Sequence, residues 1–339
     1  MDIQSMRKTA KEKLKGYCRV CPVCDGRACA GEVPGMGGVG TGSAFFANLE
    51  ALKAVRLNLR TMHGVKSVDT TLTLWGETLS MPIMAAPMTG TPYNMGTAMT
   101  EDAFISAIMD GAKQAGTLGM SGDGADPSMY LSGLAAIAAC AGRGVPFIKP
   151  RANDEVKARL RQAEEAKARA VGMDIDGAGL VTMALKGQPV GPKSPQDIRD
   201  IISATGLPFI LKGIMTPDEA ELAVQAGASA IVVSNHGGRI LDHTPGAAEV
   251  LPAIARQVAG RMIVLADGGV RSGYDVLKLL ALGAHAVLVG RPLAVGAYGN
   301  GAEGVALLLN KMRGELVQAM LLTGTADVKA VDPGVLFAG

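Results

Sequence analysis

The chain has 339 residues, roughly 90 more than the ~250 typical of one α/β barrel, so it accommodates one large domain with additions or two domains. Glycine is abundant, at 45 residues, while aromatic side chains make up only 4%, so backbone turns and small side chains must shape much of the molecule. A net charge of +2 supplies no general field for a polyanion, which argues against nucleic-acid binding.

The N-terminus, MDIQSMRKTAKEKLKGYC, is basic and helical in pattern but meets no apolar leader segment, which makes the cytoplasm the default location. Four of the five cysteines follow in one run, Cys18-x2-Cys21-x2-Cys24-x4-Cys29. Such clustering suits metal binding or redox work in a reducing compartment better than a disulfide framework. The ligand number fits a [4Fe-4S] cluster or a zinc ion; thiols with a purely structural place in an N-terminal arm are the other reading. A glycine-rich turn, PGMGGVGTG, and a helix over 44–59 complete an extension expected to occupy residues 1–75.

From Pro82 onward, short apolar runs alternate with helical patterns: PIMAA, GTLGM, VPFIK, AVGMD, LPFILK, SAIVVS, MIVLAD and HAVLVG. Apolar on both faces and separated by crossover-length segments, these runs predict eight parallel strands. Eight such units predict a closed (β/α)8 TIM barrel over residues 76–330, with an open doubly wound sheet as the alternative. The longest charge-free stretch, Thr78 to Thr100, is broken by Pro82, Pro87 and Pro92, so no membrane-spanning helix is expected. The glycine- and proline-rich connection after Asp174 predicts a lid at the carboxyl end of a strand. Thr216 and Ser272 each read as a helix N-cap followed three residues later by an acid, with Gly227 and Gly283 as the stops. A shift of 56 residues superimposes the two segments and predicts an internal strand–helix–strand repeat. Residues 302–322 read as a closing helix.

Chemistry in a barrel sits where strands end at their carboxyl side, and here those positions are unusually polar. The fifth run ends in Lys212 and the sixth leads into Ser234-Asn235-His236-Gly237-Gly238-Arg239. The seventh leads into Asp267-Gly268-Gly269-Val270-Arg271 and the eighth into Gly290-Arg291. Glycine amides and two arginines in these last two loops predict a phosphate site. His236, with Arg239 beside it, is a candidate base next to a carboxylate holder, whereas His63, His243 and His285 lack comparable polar surroundings.

The stretch LPFILKGIMTPDEAELAVQAGASAIVVSNHGGRILDHTPGAAEVLPAI, continued by RMIVLADGGVRSGYDVLKLLALGAHAVLVGRP, resembles the FMN-dependent α-hydroxy-acid dehydrogenase/oxidase family, which includes glycolate and lactate oxidases. SNHGGR, DGGVR and GRP occur in order at the family's spacing, while PIMAAPMTG and GTLGMS match more loosely. The resemblance implies an FMN-dependent oxidoreductase that converts a 2-hydroxy acid to a 2-oxo acid, passes electrons to oxygen or a redox carrier, and assembles as a homo-oligomer. It implies that His236 is the base, taking the hydroxyl proton as hydride leaves Cα, or the Cα proton in a carbanion route. Asp174 would orient the imidazolium, Arg239 would clamp the substrate carboxylate, and Lys212 would face the reduced flavin. Ala86, Pro87, Met88, Ser121 and Ser234 would contact the flavin, and Lys149 would stand where the family has a flavin-facing glutamine. Asp267, Gly268, Gly269, Arg271, Gly290 and Arg291 would hold the ribityl chain and phosphate.

Two departures bear on substrate choice. Arg151 stands where the family places a substrate-facing tyrosine, and Asp176-Gly177-Ala178-Gly179 stands where a second carboxylate-binding arginine is usual. Lys149 and Arg151 would then supply the missing positive charge to the substrate, or serve a more anionic one. Met88-Thr89-Gly90 also resembles a motif of type 2 isopentenyl diphosphate isomerase, a non-redox FMN enzyme, as the alternative activity; Lys149 and Arg151 would suit its diphosphate, while His236-Gly237-Gly238-Arg239 argues against it. A flavin electron-transfer protein without hydroxy-acid turnover is a third reading.

Overall fold

The computed structural model describes residues 1–338. A two-strand hairpin, β1 (Leu72–Leu74) and β2 (Glu77–Leu79), precedes eight parallel strands. These are β3 (Ile83–Ala85), β4 (Gly119–Ser121), β5 (Gly144–Ile148), β6 (Val171–Asp174), β7 (Phe209–Ile214), β8 (Ala230–Val233), β9 (Ile263–Ala266) and β10 (Ala286–Val289). Each lies within or overlaps one of the eight apolar runs. Their hydrogen-bonded order is β3-β10-β9-β8-β7-β6-β5-β4. At the remaining seam Ala85 N–H donates to the Leu118 carbonyl (3.1 Å) and Met88 bridges Ser121, which closes the barrel rather than leaving an open sheet.

Alternation along the strands separates two cores. Met84, Leu118, Met120, Phe147, Ile210 and Val232 fill the barrel interior, and the hairpin's Leu74 and Leu79 pack onto them as a plug at the amino end. The opposite strand faces pack against the surrounding helices. The expected boundary between residues 75 and 76 therefore cuts through the turn of a hairpin that closes the barrel. The chain beyond residue 330 also belongs to the same body, since Leu336 pairs with Leu57 and Asn58 N–H donates to the Val335 carbonyl (2.8 Å).

The helix signals have physical counterparts. Thr216 Oγ1 accepts from Glu219 N–H, and Ser272 forms a reciprocal capping box with Asp275. The helices Pro217–Gln225 and Gly273–Ala281, and the strands after them, lie one 56-residue period apart. The helix expected over 44–59 spans Ser43–Ala54, and the closing helix begins earlier than expected, running Arg291–Thr323 with a break at Asn300-Gly301. The expected lid folds as a 3-10 turn, Ile175–Gly179, and a short helix, Val181–Leu185, whose Leu180 and Met183 pack with Ala125. Among the described residues, no helix is long and apolar enough to cross a membrane.

Candidate active site at the carboxyl end of the barrel

The carboxyl ends of all eight strands, β3–β10, and the loops after them surround a cavity at this end of the barrel. Ala86, Pro87 and Met88 form one wall, and Lys149 just after β5, Asp174 at the end of β6 and Lys212 inside β7 come from three consecutive strands. His236 and Arg239 enter from the loop after β8. Asp267, Gly268, Gly269 and Arg271 follow β9, with Gly290 and Arg291 following β10.

Three of the expected contact residues lie apart from the cavity wall. Ser121 is not in the cavity wall: Met120 occupies the inward face of β4, so Ser121 points outward and its Oγ sits where a side chain on Gly133 of the neighbouring helix would collide, at 2.5 Å. Ser234 lies fully buried outside the wall, where its Oγ accepts from His236 N–H (3.0 Å). Arg151, only 2% exposed, is turned away from the substrate space. Its Nε donates to Asp123 Oδ2 (2.8 Å), and its terminal nitrogens donate to Asp123, the Gly124 carbonyl and Gln188. A guanidinium tied up in this way has no free fork for a substrate carboxylate.

Asp174 is also redirected. It receives Lys149 Nζ at 2.6 Å and Lys212 Nζ at 3.1 Å, so the expected orienting carboxylate of His236 is engaged by two ammonium groups. Asp176, two residues further along, faces the imidazole instead, with both carboxylate oxygens 3.1 Å from His236 Nδ1. Because a carboxylate only accepts and Lys212 Nζ, 3.4 Å away, is cationic, Nδ1 carries the proton and donates to Asp176. Nε2 is then the unprotonated, basic nitrogen.

Electrostatics favour that state. Burial and then the Lys212 charge lower the His236 pKa, with Asp176 and Asp174 opposing. Burial acts against the charges of Asp174 and Lys212, but the attraction between them wins: the lysines hold the Asp174 carboxyl far below its usual range, and Asp174, Asp176 and Asp267 hold Lys212 above its usual value. Asp174, Asp176 and His236 come close enough to resemble a cation site, and the two lysine ammoniums already fill that role.

The loop carrying His236 is strained and externally braced. His236 has φ +57°, a conformation that costs a non-glycine residue about 1–3 kcal/mol, and Gly237 and Gly238 continue it. A side chain on Gly238 would lie 2.4 Å from Phe45 N, so this glycine permits the loop to meet the helix Ser43–Ala54. Asn48 of that helix donates to Asn235 Oδ1 (2.7 Å), which also accepts from Gly238 N–H (3.1 Å). Asn48 and the PGMGG turn brace these loops from outside the strand ends, with no strand-end motif to mark them in the sequence. In that turn, Gly35 O accepts from Arg239 Nη1 (2.5 Å), and Met36 O and Gly37 O accept from Arg291 Nε and Nη2 (2.7 and 2.8 Å). Arg239 also donates to Asn94 Oδ1 (2.9 Å).

The residues present fit a phosphate-bearing polyol such as the ribityl phosphate of FMN. Burial first, then the like charges of Arg239 and Arg271, push the Arg291 guanidinium down, as expected where arginines converge without an anion. Asp267 Oδ1 and Arg271 Nε are buried without hydrogen-bond partners among the described residues, one acceptor and one donor from the same cavity loop. Burial raises the Asp267 pKa against the pull of Lys212.

The family model for FMN-dependent dehydrogenases matches residues 35–186 and 183–338. The chain belongs to this FMN-dependent family. Over 323 residues it is 32% identical to 2-hydroxyacid oxidase 2 of Bos taurus, covering 85% of this chain and 88% of that one. A match to a 2-hydroxyacid oxidase of Dictyostelium discoideum is 48% identical over 141 residues, 42% of this chain and 36% of that protein. The crystal structure of a mandelate oxidase superposes with a TM-score of 0.81 at 30% identity, covering 98% of this chain and 97% of the other. The family match extends upstream of the strongest motifs to residue 35, inside the glycine-rich turn that holds Arg239 and Arg291, and leaves the four cysteines outside it.

Proposed function

We propose that this family member oxidises a 2-hydroxy acid to the 2-oxo acid, with His236 as the catalytic base. The observation that carries the reading is the neutral His236, fixed through Nδ1 by Asp176, in one cavity with the Lys212 ammonium and the arginines of the phosphate loops. Asp267, Arg271 and Arg291 would hold the ribityl phosphate, and Ala86, Pro87, Met88 and Lys212 would border the ring. When bound, FMN supplies a two-electron acceptor for the hydrogen leaving Cα. His236 Nε2 takes the hydroxyl proton as that Cα–H bond breaks, and Asp176 stabilises the resulting imidazolium. Lys212 places positive charge where electron density accumulates. Arg239 is the carboxylate clamp, and Asn94 with the Gly35 carbonyl fixes its guanidinium.

The isomerase alternative relied on Lys149 and Arg151 to bind a diphosphate. Their ion pairs with Asp174 and Asp123 remove the charge that reading required. Anaerobic mixing of the FMN-loaded protein with a panel of 2-hydroxy acids tests the proposal. At least one acid should bleach the flavin absorbance, with the matching 2-oxo acid formed in equal amount; a panel that leaves the flavin oxidised throughout contradicts it.

A further inference from the structure

The four clustered cysteines lie outside the chemistry described above, yet the fold brings them to its border. Cys18, Cys21, Cys24 and Cys29 are half-buried free thiols on the segment leading into the glycine-rich turn. The four cysteines fall within twelve residues of chain, and Met36 N–H, donating to the Tyr17 carbonyl (3.3 Å), folds the segment back on itself. The segment is anchored on both sides: Arg7 Nη2 donates to the Val20 and Cys21 carbonyls, and Arg19 forms a bidentate pair with Glu32.

Local backbone geometry suits a thiolate ligand. Val20 adopts φ +47°, and its N–H donates to Cys18 Sγ at 3.4 Å. Arg271 Nη2 lies 3.4 Å from Cys24 Sγ and also donates to the Cys24 carbonyl (3.3 Å). Positive charge thus faces the sulfurs from the barrel, as an assembly bearing four thiolates requires.

Four cysteine thiolates supply one ligand to each iron of a [4Fe-4S] cluster. We propose that Cys18, Cys21, Cys24 and Cys29 bind a [4Fe-4S] cluster beside the arginine-lined phosphate end of the cavity. The position beside a flavin phosphate rests on the functional reading above; the cysteine site itself does not.

The test uses the full chain, produced and purified anaerobically, with iron, acid-labile sulfide, zinc and FMN measured on the same sample. The site predicts about four iron and four sulfide per chain and a paramagnetic signal on dithionite reduction. Cys21→Ser/Cys24→Ser should lose most of the iron and sulfide, whereas Cys140→Ser, in the barrel's packed shell, should keep both. Retained FMN content and a single cooperative melting transition in the double variant separate ligand loss from misfolding. Absence of iron and sulfide even after anaerobic reconstitution, stoichiometric zinc, or a cluster retained by the double variant overturns the proposal. An iron–sulfur chain without FMN would contradict the flavin reading while leaving the cysteine site intact.

Discussion

His236 accepts a proton only while neutral, and its environment extends that state toward acid. Burial and Lys212 place its pKa below the ordinary histidine value, so kcat/KM should fall only as pH drops through that lowered value, with the acid limb below about 6.5. Asp176→Asn removes an influence that raises the pKa, so the limb should move to still lower pH. The same variant loses the acceptor that fixes the Nδ1 proton, and flavin reduction should slow by about 10²–10⁴-fold with FMN still bound. Pre-steady-state reduction across a pH series checks both outcomes. The sequence showed His236 clearly because polar residues clustered around it, but it did not distinguish Asp174 from Asp176. That choice depends on two lysines from other strands: Lys212 is register-paired with Asp174 across β6 and β7, and Lys149 reaches it from the end of β5.

At the scale of elements, strand ends deliver charge and neighbouring elements decide where it is used. Asp123, fully buried after β4, accepts from Arg151 and from the Lys149 backbone N–H, with Arg159 alongside at 3.5 Å. Asp123→Ala should destabilise the protein by about 3–5 kcal/mol, because it leaves a buried guanidinium unpaired. Asp123→Leu/Arg151→Met should be milder than the single change, and denaturant unfolding of the set measures the difference. The eight strands and the capped helices were legible because each is a local pattern: apolar runs, an N-cap with its acid, a terminating glycine. The β1–β2 hairpin was not, since each strand has three residues and its turn is Trp75-Gly76, with φ +49° and +78°, rather than a common turn pair. Arg151 was misplaced for a related reason: its sequence position fits a pocket residue, and only tertiary packing reveals the buried aspartate that holds it.

The whole molecule is a barrel around which the chain's ends are wrapped. The helix Ile3–Lys13 packs on Arg291–Thr323, and the segment after it supplies the carbonyls that hold Arg239 and Arg291. Removing residues 1–38 should therefore yield a barrel with substoichiometric FMN, as measured by the ratio of flavin absorbance to protein. Full flavin retention would show that the arginines need no such bracing. The extension is visible in the sequence but its place at the site is not, because its contacts with the β8 and β10 loops span 202 and 254 residues of chain.

The central claim is that His236 carries proton transfer in a site whose flavin is held elsewhere. Anaerobic rapid mixing of native protein and His236→Ala with a 2-hydroxy acid that reduces the native flavin tests it most directly. The account predicts equal FMN content in the two proteins and a reduction rate lowered by about 10²–10⁴-fold in the variant. Reduction of His236→Ala at the native rate would contradict it.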